Sequence, residues 1–329
     1  MLGDGEFYFL CAVIFIGLVG TAGNALIIYA LVVSKQHKKH VMIVNQNVLD
    51  LFSSFFLVIV NSLKLCNLRL IGASGYWLCI TLLSENLIWW GTNGSVVNLA
   101  AITIDRYLKV VHPFWSRKYL RPWLIYSAMA FAWFVGIVYN TIMVFASTAV
   151  IDGVCYSYII FEGDLQKRAY SIWYIGSFYV IILVIFIFCY GRILVAIRRQ
   201  ARVMASHSTS GSNAAQTQSH QIQANVIKTM TIVSVFFAIM WLPLNVYCLF
   251  TLVDANLIYI DWRYHFSVFV AFCYTSTNPF IYATKYDPIR KVLIGMIPCK
   301  KAVVQPTDGP GTNMQLTAAR LQAHSQERN

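Results

Sequence analysis

The chain has 329 residues, 58% of them hydrophobic and only 12% charged, with a net charge of +12 and a mean hydropathy of +0.61. Soluble domains carry about a quarter charged residues, so this composition excludes an ordinary water-soluble globular protein and points to an integral membrane protein. The eight cysteines form no CxxC pair and no Cys/His ligand spacing. That excludes a zinc centre and leaves most of them as small apolar residues.

Taken in chain order, seven segments are long and apolar enough for the roughly 20 residues of helix that a bilayer requires. The first covers 7–33 and lacks any acid or base; the residues before it carry Asp4 and Glu6 rather than Lys or Arg, so it reads as a span and not as a cleaved leader. The second, 41–66, has Asp50 near its middle. The third, 76–109, has Glu85 near its outer end and closes on "ITIDRYLKVVHP". The fourth and fifth cover 121–150 and 169–199. Residues 205–223, rich in Ser, Gln, Asn and Thr, read as a flexible loop. The sixth, 224–253, contains Trp241-Leu242-Pro243, and the seventh, 262–285, contains Asn278-Pro279. A short amphipathic helix is predicted over 287–297, and 301–329 as a disordered tail. Cys299, beside Lys300 and Lys301, reads equally as a palmitoylated or an unmodified cysteine. The continuous runs exclude a β-barrel, whose strands alternate.

Twenty of the 25 lysines and arginines fall on one set of connecting segments and five on the other. Basic loops stay in the cytoplasm, which places the N-terminus outside and the C-terminus inside. The positive charge is therefore spent on topology and on contact with the lipid bilayer, not on nucleic acid.

A charge at the depth of Asp50 costs about 3 kcal/mol on insertion scales. Two readings stand: a protonated acid bonded to neighbouring helices, or a carboxylate serving a cation. Asn24, Ser95, Asn98 and Asn278 lie near mid-depth on their own spans, and such an oxygen-rich cluster suits a small hard cation. Pro243 and Pro279 each free a helix carbonyl and kink the axis. Arg106 either snorkels to the interface or turns inward, where Tyr190 and Tyr282 stand near the cytoplasmic ends of their spans.

These motifs together resemble the rhodopsin-like family of G-protein-coupled receptors over residues 10–300. Gly23-Asn24, "NVLDL" with Asp50, Asp105-Arg106-Tyr107, Trp133, Tyr190, "FFAIMWLP" with Phe237, Trp241 and Pro243, and "NPFIY" from Asn278 and Pro279 to Tyr282 carry the resemblance. It implies an all-α, seven-transmembrane bundle that signals without chemistry of its own. Agonist binding reshapes the bundle around Trp241 and Phe237, Arg106 leaves Asp105, Tyr190 and Tyr282 turn inward, and a heterotrimeric G protein enters, with arrestin and receptor kinases as further partners. It also implies an allosteric sodium ion at Asp50, Ser95, Asn278 and Asn24, no other cofactor, and a Cys79–Cys155 disulfide. The chain departs from the family pattern in places. Cys79 stands two residues further from Arg106 than is usual, Ile182 replaces the fifth-span proline, and the sixth-span acid that often pairs with the arginine is absent, which predicts raised basal activity.

The resemblance places the ligand pocket at Glu85, Ile88, Trp89, Thr92, Tyr179, Trp241 and Asn245. Ile88 stands where amine receptors carry an Asp, and Phe272 where opsins carry the retinal lysine. Glu85 reads either as a partner for a cationic ligand group or as a hydrated rim residue. Outer segments hold eight acids against five bases, which favours a short basic peptide, with a small non-peptide ligand as the alternative. A seven-span transporter is the competing class, disfavoured because the two halves show no repeat. An enzyme is excluded by the absence of HExxH, paired acids or a Ser/His constellation.

Overall fold

Long helices dominate because apolar segments in lipid must satisfy every backbone N–H and C=O internally. The computed structural model describes residues 3–157, 164–207, 214–253, 262–285 and 287–296. Its helices are α1 (Asp4–Val33), α2 (Val41–Leu65), α3 (Gly72–Leu78), α4 (Asn86–Val111), α5 (Pro113–Tyr119), α6 (Pro122–Ser147), α7 (Asp164–Tyr174), α8 (Ile181–His207), α9 (Ala214–Val253), α10 (Trp262–Lys285) and α11 (Asp287–Met296). A π-turn at Cys79–Leu83 follows α3, and another at Ile175–Val180 joins α7 to α8.

Helix α4 is central and packs on α2, α6, α8 and α9, while α10 lies between α1 and α9. The close approach of α4 to α6 depends on two glycines. A Cβ on Gly136 would overlap the Trp90 carbonyl oxygen, and one on Gly94 would meet Ala132 O at 3.2 Å. Small residues at this crossing let the two backbones touch, the usual device for helix association in lipid. Polarity is inverted relative to a soluble protein: Asn24, Gln46, Asp50, Asn98 and Asn278 are buried, whereas Phe15, Phe134 and Ile187 are exposed. Five helical segments are long and apolar enough to cross a membrane by length and composition alone, namely α1, α2, α6, Asp164–Gln200 and Asn225–Phe250. Helices α4 and α10 instead bring buried Asn93, Ser95, Asn98, Ser276 and Asn278 to the interior.

The third span differs from the single helix expected over 76–109. It breaks after the π-turn, where Glu85 adopts a left-handed backbone (φ 63°, ψ 16°) before α4 begins. A π-turn holds more residues than an α-turn of the same rise. The π-turn and the break therefore fit more residues between Cys79 and α4 than an uninterrupted α-helix of the same rise would. Cys79 is disulfide-bonded to Cys155, with a Cα–Cα distance of 5.4 Å.

The expected fourth span, 121–150, ends early at Ser147, and Ala149–Ile151 forms strand β1, paired antiparallel with β2 (Val154–Tyr156). Asp152 and Gly153, with φ of 52° and 80°, make the tight hairpin turn that Asp-Gly favours. The loop expected over 205–223 is helical at 205–207 and 214–223; Ala and Gln are good helix formers and extend α8 and α9 beyond the apolar runs. Helix α10 covers 262–285, the range expected of the seventh span, and α11 covers Asp287–Met296, within the range predicted for the amphipathic helix. In α11 Ile289 is buried and Arg290 exposed. Cys299 and the tail 301–329 lie outside the described residues, as do Glu162, Asp254 and Asp261.

Candidate functional site

At mid-depth α2, α4 and α10 converge on one carboxylate. Asp50 accepts a hydrogen bond from Ser95 Oγ at 2.6 Å on Oδ1 and one from Asn278 Nδ2 at 2.6 Å on Oδ2. Gln46, one turn earlier on α2, also donates to Asp50 Oδ2 at 3.4 Å, and its amide nitrogen bonds Ser95 Oγ. The Gln46 carbonyl in turn accepts from Asn98 Nδ2 at 2.8 Å. Asn98 Oδ1 accepts from Asn45 Nδ2 at 2.9 Å, and Asn45 Oδ1 from Trp133 Nε1 at 3.0 Å. The network thus runs unbroken from α6 through α2 and α4 to α10. A buried polar group unsatisfied in lipid costs several kcal/mol, and this network satisfies most of its members.

Asn24 is not a partner of Asp50. Its Nδ2 donates to Gly20 O at 2.9 Å and Thr275 O at 3.1 Å. Near this carboxylate, Asn24 Oδ1 and Asn278 Oδ1 are buried with no hydrogen-bond partner among the described residues. Asp50, Ser95 and the spare Asn278 oxygen form a set of hard donors, and so fit a small monovalent or divalent cation in chemistry.

At the inner end of α4, Asp105 is buried and its closest partner is Lys109. The two Lys109–Asp105 contacts measure 2.8 and 2.9 Å, against 3.4 Å for Arg106 Nε. The expected Asp105–Arg106 pair is present as the longer contact, within a three-membered cluster. His40, the residue before α2, shares a cavity of about 30 Å³ with Lys39, Asp105, Arg106 and Lys109. Burial, and then the positive charge of Arg106, Lys39 and Lys109, push the His40 imidazole down to about 4. Tyr107 turns away from the bundle centre, its hydroxyl 3.2 Å from His112 Nε2 and its ring against Phe188. Tyr190 ties three helices, with its hydroxyl 3.1 Å from Thr103 Oγ1 on α4 and 3.2 Å from Ser234 Oγ on α9. Tyr282 is fully buried.

Between these two polar centres and the outer half stands a set of packed rings. Trp241 contacts Trp89 with a ring separation of 6.1 Å and Phe237 at 5.8 Å, and Phe237 meets Phe186 at 5.7 Å and Tyr274 at 5.7 Å. Pro243 interrupts α9 one turn outward of Ile239, and Asn245 Nδ2 donates to Trp241 O at 2.8 Å. Asn245 Oδ1 and Trp241 Nε1 are buried without partners among the described residues.

The expected pocket residues divide. Trp89, Trp241 and Asn245 lie together. Thr92 instead bonds Ile88 O and Ser53 on α2, and the Tyr179 hydroxyl donates to Ala238 O at 2.8 Å. Ile88 is fully buried. Glu85 is paired with Lys64 at 2.5 Å, with side chains 23% and 30% exposed.

Sequence reasoning missed Gln46, Lys109 and Lys64. Gln46 precedes Asp50 by four and Lys109 follows Asp105 by four, the spacing that stacks side chains on one helix face, so both were visible. Lys64 lies 21 residues from Glu85 on another helix, and no local pattern joins them.

The model of the 7-transmembrane receptor (rhodopsin) family matches residues 23–282. Over 309 residues the chain is 25% identical to melanopsin of Phodopus sungorus, covering 90% of this chain and 64% of melanopsin. It is 25% identical to trace amine-associated receptor 9 of Rattus norvegicus over 60% of each chain. It is 26% identical to the substance-K receptor of Mus musculus over 57% of this chain and 49% of that receptor. In each case the matched part is less than two thirds of the relative's length. The crystal structure of squid rhodopsin superposes with a TM-score of 0.72 at 18% identity, covering 94% of this chain and 90% of that one, a likeness of fold: the seven-helix bundle.

Proposed function

Because the chain belongs to the 7-transmembrane receptor (rhodopsin) family, a family of membrane signalling receptors and not of enzymes, we propose that it binds an extracellular ligand and activates a heterotrimeric G protein. The observation that carries this reading is a run of side chains in contact from the outer half to the inner end. Trp89 touches Trp241, Trp241 touches Phe237, Phe237 touches Phe186, and Phe186 lies 6.2 Å from Tyr190. Tyr190 bonds Thr103, one turn before Arg106. Close-packed interiors have discrete arrangements rather than a continuum. A ligand that moves Trp241 therefore displaces Phe237 and, through it, the hydroxyl that joins α4, α8 and α9. The ligand needs only a higher affinity for the rearranged state. The division of basic residues supports an N-terminus outside and an inner end in the cytoplasm, and family membership supports a place in the plasma membrane.

The ligand in this reading is a short peptide. Glu85 and Lys64 present one charge of each sign near the outer end of α2 and α4, which suits the amine and carboxylate ends of a small peptide. The relatives are named for trace amines and for substance K, so their names favour no single class. An amine is disfavoured by buried Ile88, and linked retinal by Phe272. A sodium ion at Asp50, Ser95 and Asn278 stabilises the resting state, and arrestin and receptor kinases engage the opened inner face.

The test is nucleotide exchange on purified G proteins by membranes bearing the full chain, screened against a library of short peptides. An agonist should be found whose effect is lost in Arg106→Ala with ligand binding retained. Intact agonist-driven exchange in that variant overturns the inner switch. Substrate flux into vesicles without nucleotide exchange replaces the receptor with a transporter.

A further inference from the structure

A groove of about 520 Å³ opens on the outer surface of the bundle between α1, α9 and α10. Phe15 and Val19 wall it on the α1 side, Ile232 and Phe236 on the α9 side, and its floor is one face of α10 from Cys273 to Lys285. At about 1.5 Å rise per residue the floor is about 18 Å long, close to the depth of a single leaflet in a hydrocarbon core about 30 Å thick. The hydroxyls along it need nothing from an occupant. Ser276 donates to Ile16 O at 2.9 Å, Thr277 to Cys273 O at 2.6 Å and Thr284 to Phe280 O at 2.8 Å. The groove therefore offers hydrocarbon along its length, and Phe280 stands exposed at its edge. Its one charged group is at one end. Lys285 is exposed and has no ion-pair partner among the described residues. The positive-inside reading puts that end at the cytoplasmic leaflet, where anionic lipids are concentrated.

We propose that this groove is a binding site for an anionic glycerophospholipid of the inner leaflet, with one acyl chain along α10 and the headgroup paired to Lys285. Length and charge together select this occupant. A chain one leaflet long fills the floor, and its anionic end arrives at the only base in the lining. The bound lipid wedges the inner half of α9, at Ile232 and Phe236, against α1 and α10. Any outward movement of α9 must first reshape the site, so lipid occupancy biases the bundle. This rests on the orientation of α10 and is independent of the ligand and of G-protein coupling.

The experiment is native mass spectrometry of the full chain released from nanodiscs of either palmitoyl-oleoyl-phosphatidylserine or the matching phosphatidylcholine. The anionic lipid should be retained about fivefold better, the effect of one basic group at an anionic surface. Lys285→Gln should abolish that preference while leaving phosphatidylcholine retention unchanged. Val19→Trp or Cys273→Phe, which fill the groove, should remove one retained lipid of either kind. Equal retention of the two lipids, an unchanged preference in Lys285→Gln, or unchanged stoichiometry in both groove-filling variants would overturn the proposal. So would release of the lipid by inorganic phosphate, which would make Lys285 a site for free anions.

Discussion

Asn24 donates its side-chain amide to the carbonyl oxygen of Thr275 at 3.1 Å, the very carbonyl that Pro279, four residues on, leaves without its helical donor. A residue of α1 thus completes the hydrogen bonding of a kink in α10. Replacing Asn24 by Ala strands that carbonyl, and leaving a buried acceptor unsatisfied costs about 1–3 kcal/mol. The unfolding temperature of N24A should fall clearly. In a Pro279→Ala background the restored backbone N–H should make the same substitution nearly silent, a coupling that a double-mutant cycle reads directly. Additive effects of the two substitutions would contradict the assignment.

If the proposed sodium ion binds at Asp50, Gln46 should limit how strongly it is held. Its amide donates to both Asp50 and Ser95, competing for oxygens that a sodium ion needs. Gln46→Leu should enlarge the stabilisation by sodium chloride over choline chloride in a thermal unfolding assay, although the variant loses its bond to Asn98. Asp50→Asn should abolish the sodium effect altogether.

Lys109, not Arg106, makes the shorter contacts to Asp105. Its side chain is 40% exposed, so the pair contributes little, on the order of 0.2–1 kcal/mol. Lys109→Ala should raise ligand-independent nucleotide exchange by at most about fivefold. Because no sixth-span acid holds Arg106, the unmodified chain should itself signal above empty membranes.

The His40 imidazole is held down to about 4 by burial and by neighbouring bases, against about 6.5 for a free histidine. The folded chain therefore binds fewer protons than the unfolded one between those values. Stability on this account is level above pH 6.5, falls as pH drops from 6.5 towards 4, and changes no further below that. Unfolding temperatures at pH 7.5 and 5 should differ, and His40→Gln should remove part of the difference.

The polar knot of Asp50, Ser95 and Asn278 was legible because each residue is an anomaly in an apolar run and lipid penalises unpaired polar groups. The helix face that brings Gln46 to Asp50 obeys the same four-residue spacing, yet a glutamine at mid-span attracts less notice than a carboxylate. The hairpin turn carried its signal in Asp152-Gly153, hidden by the continuity of the apolar run into Val150. The π-turn at Ile175–Val180 had none: with Ile182 in place of proline, nothing in the side chains announces an extra residue in a turn. The Lys64–Glu85 pair depends on two helices meeting, which local periodicity cannot encode. For the same reason the bond from Asn24 on α1 to the Thr275 carbonyl on α10 has no signature in either apolar run.

The left-handed residue at Glu85 divides the third span into two mechanical members. Above it, the π-turn is stapled to the hairpin through Cys79 and Cys155; below it, α4 runs uninterrupted to Val111. A pull on the hairpin should therefore bend this joint before it turns the shaft beneath. On that account a ligand should move Arg106 by contacts at or below the joint, at Trp89 or its neighbours. A molecule that only grips the stapled cap would therefore occupy the protein without working it.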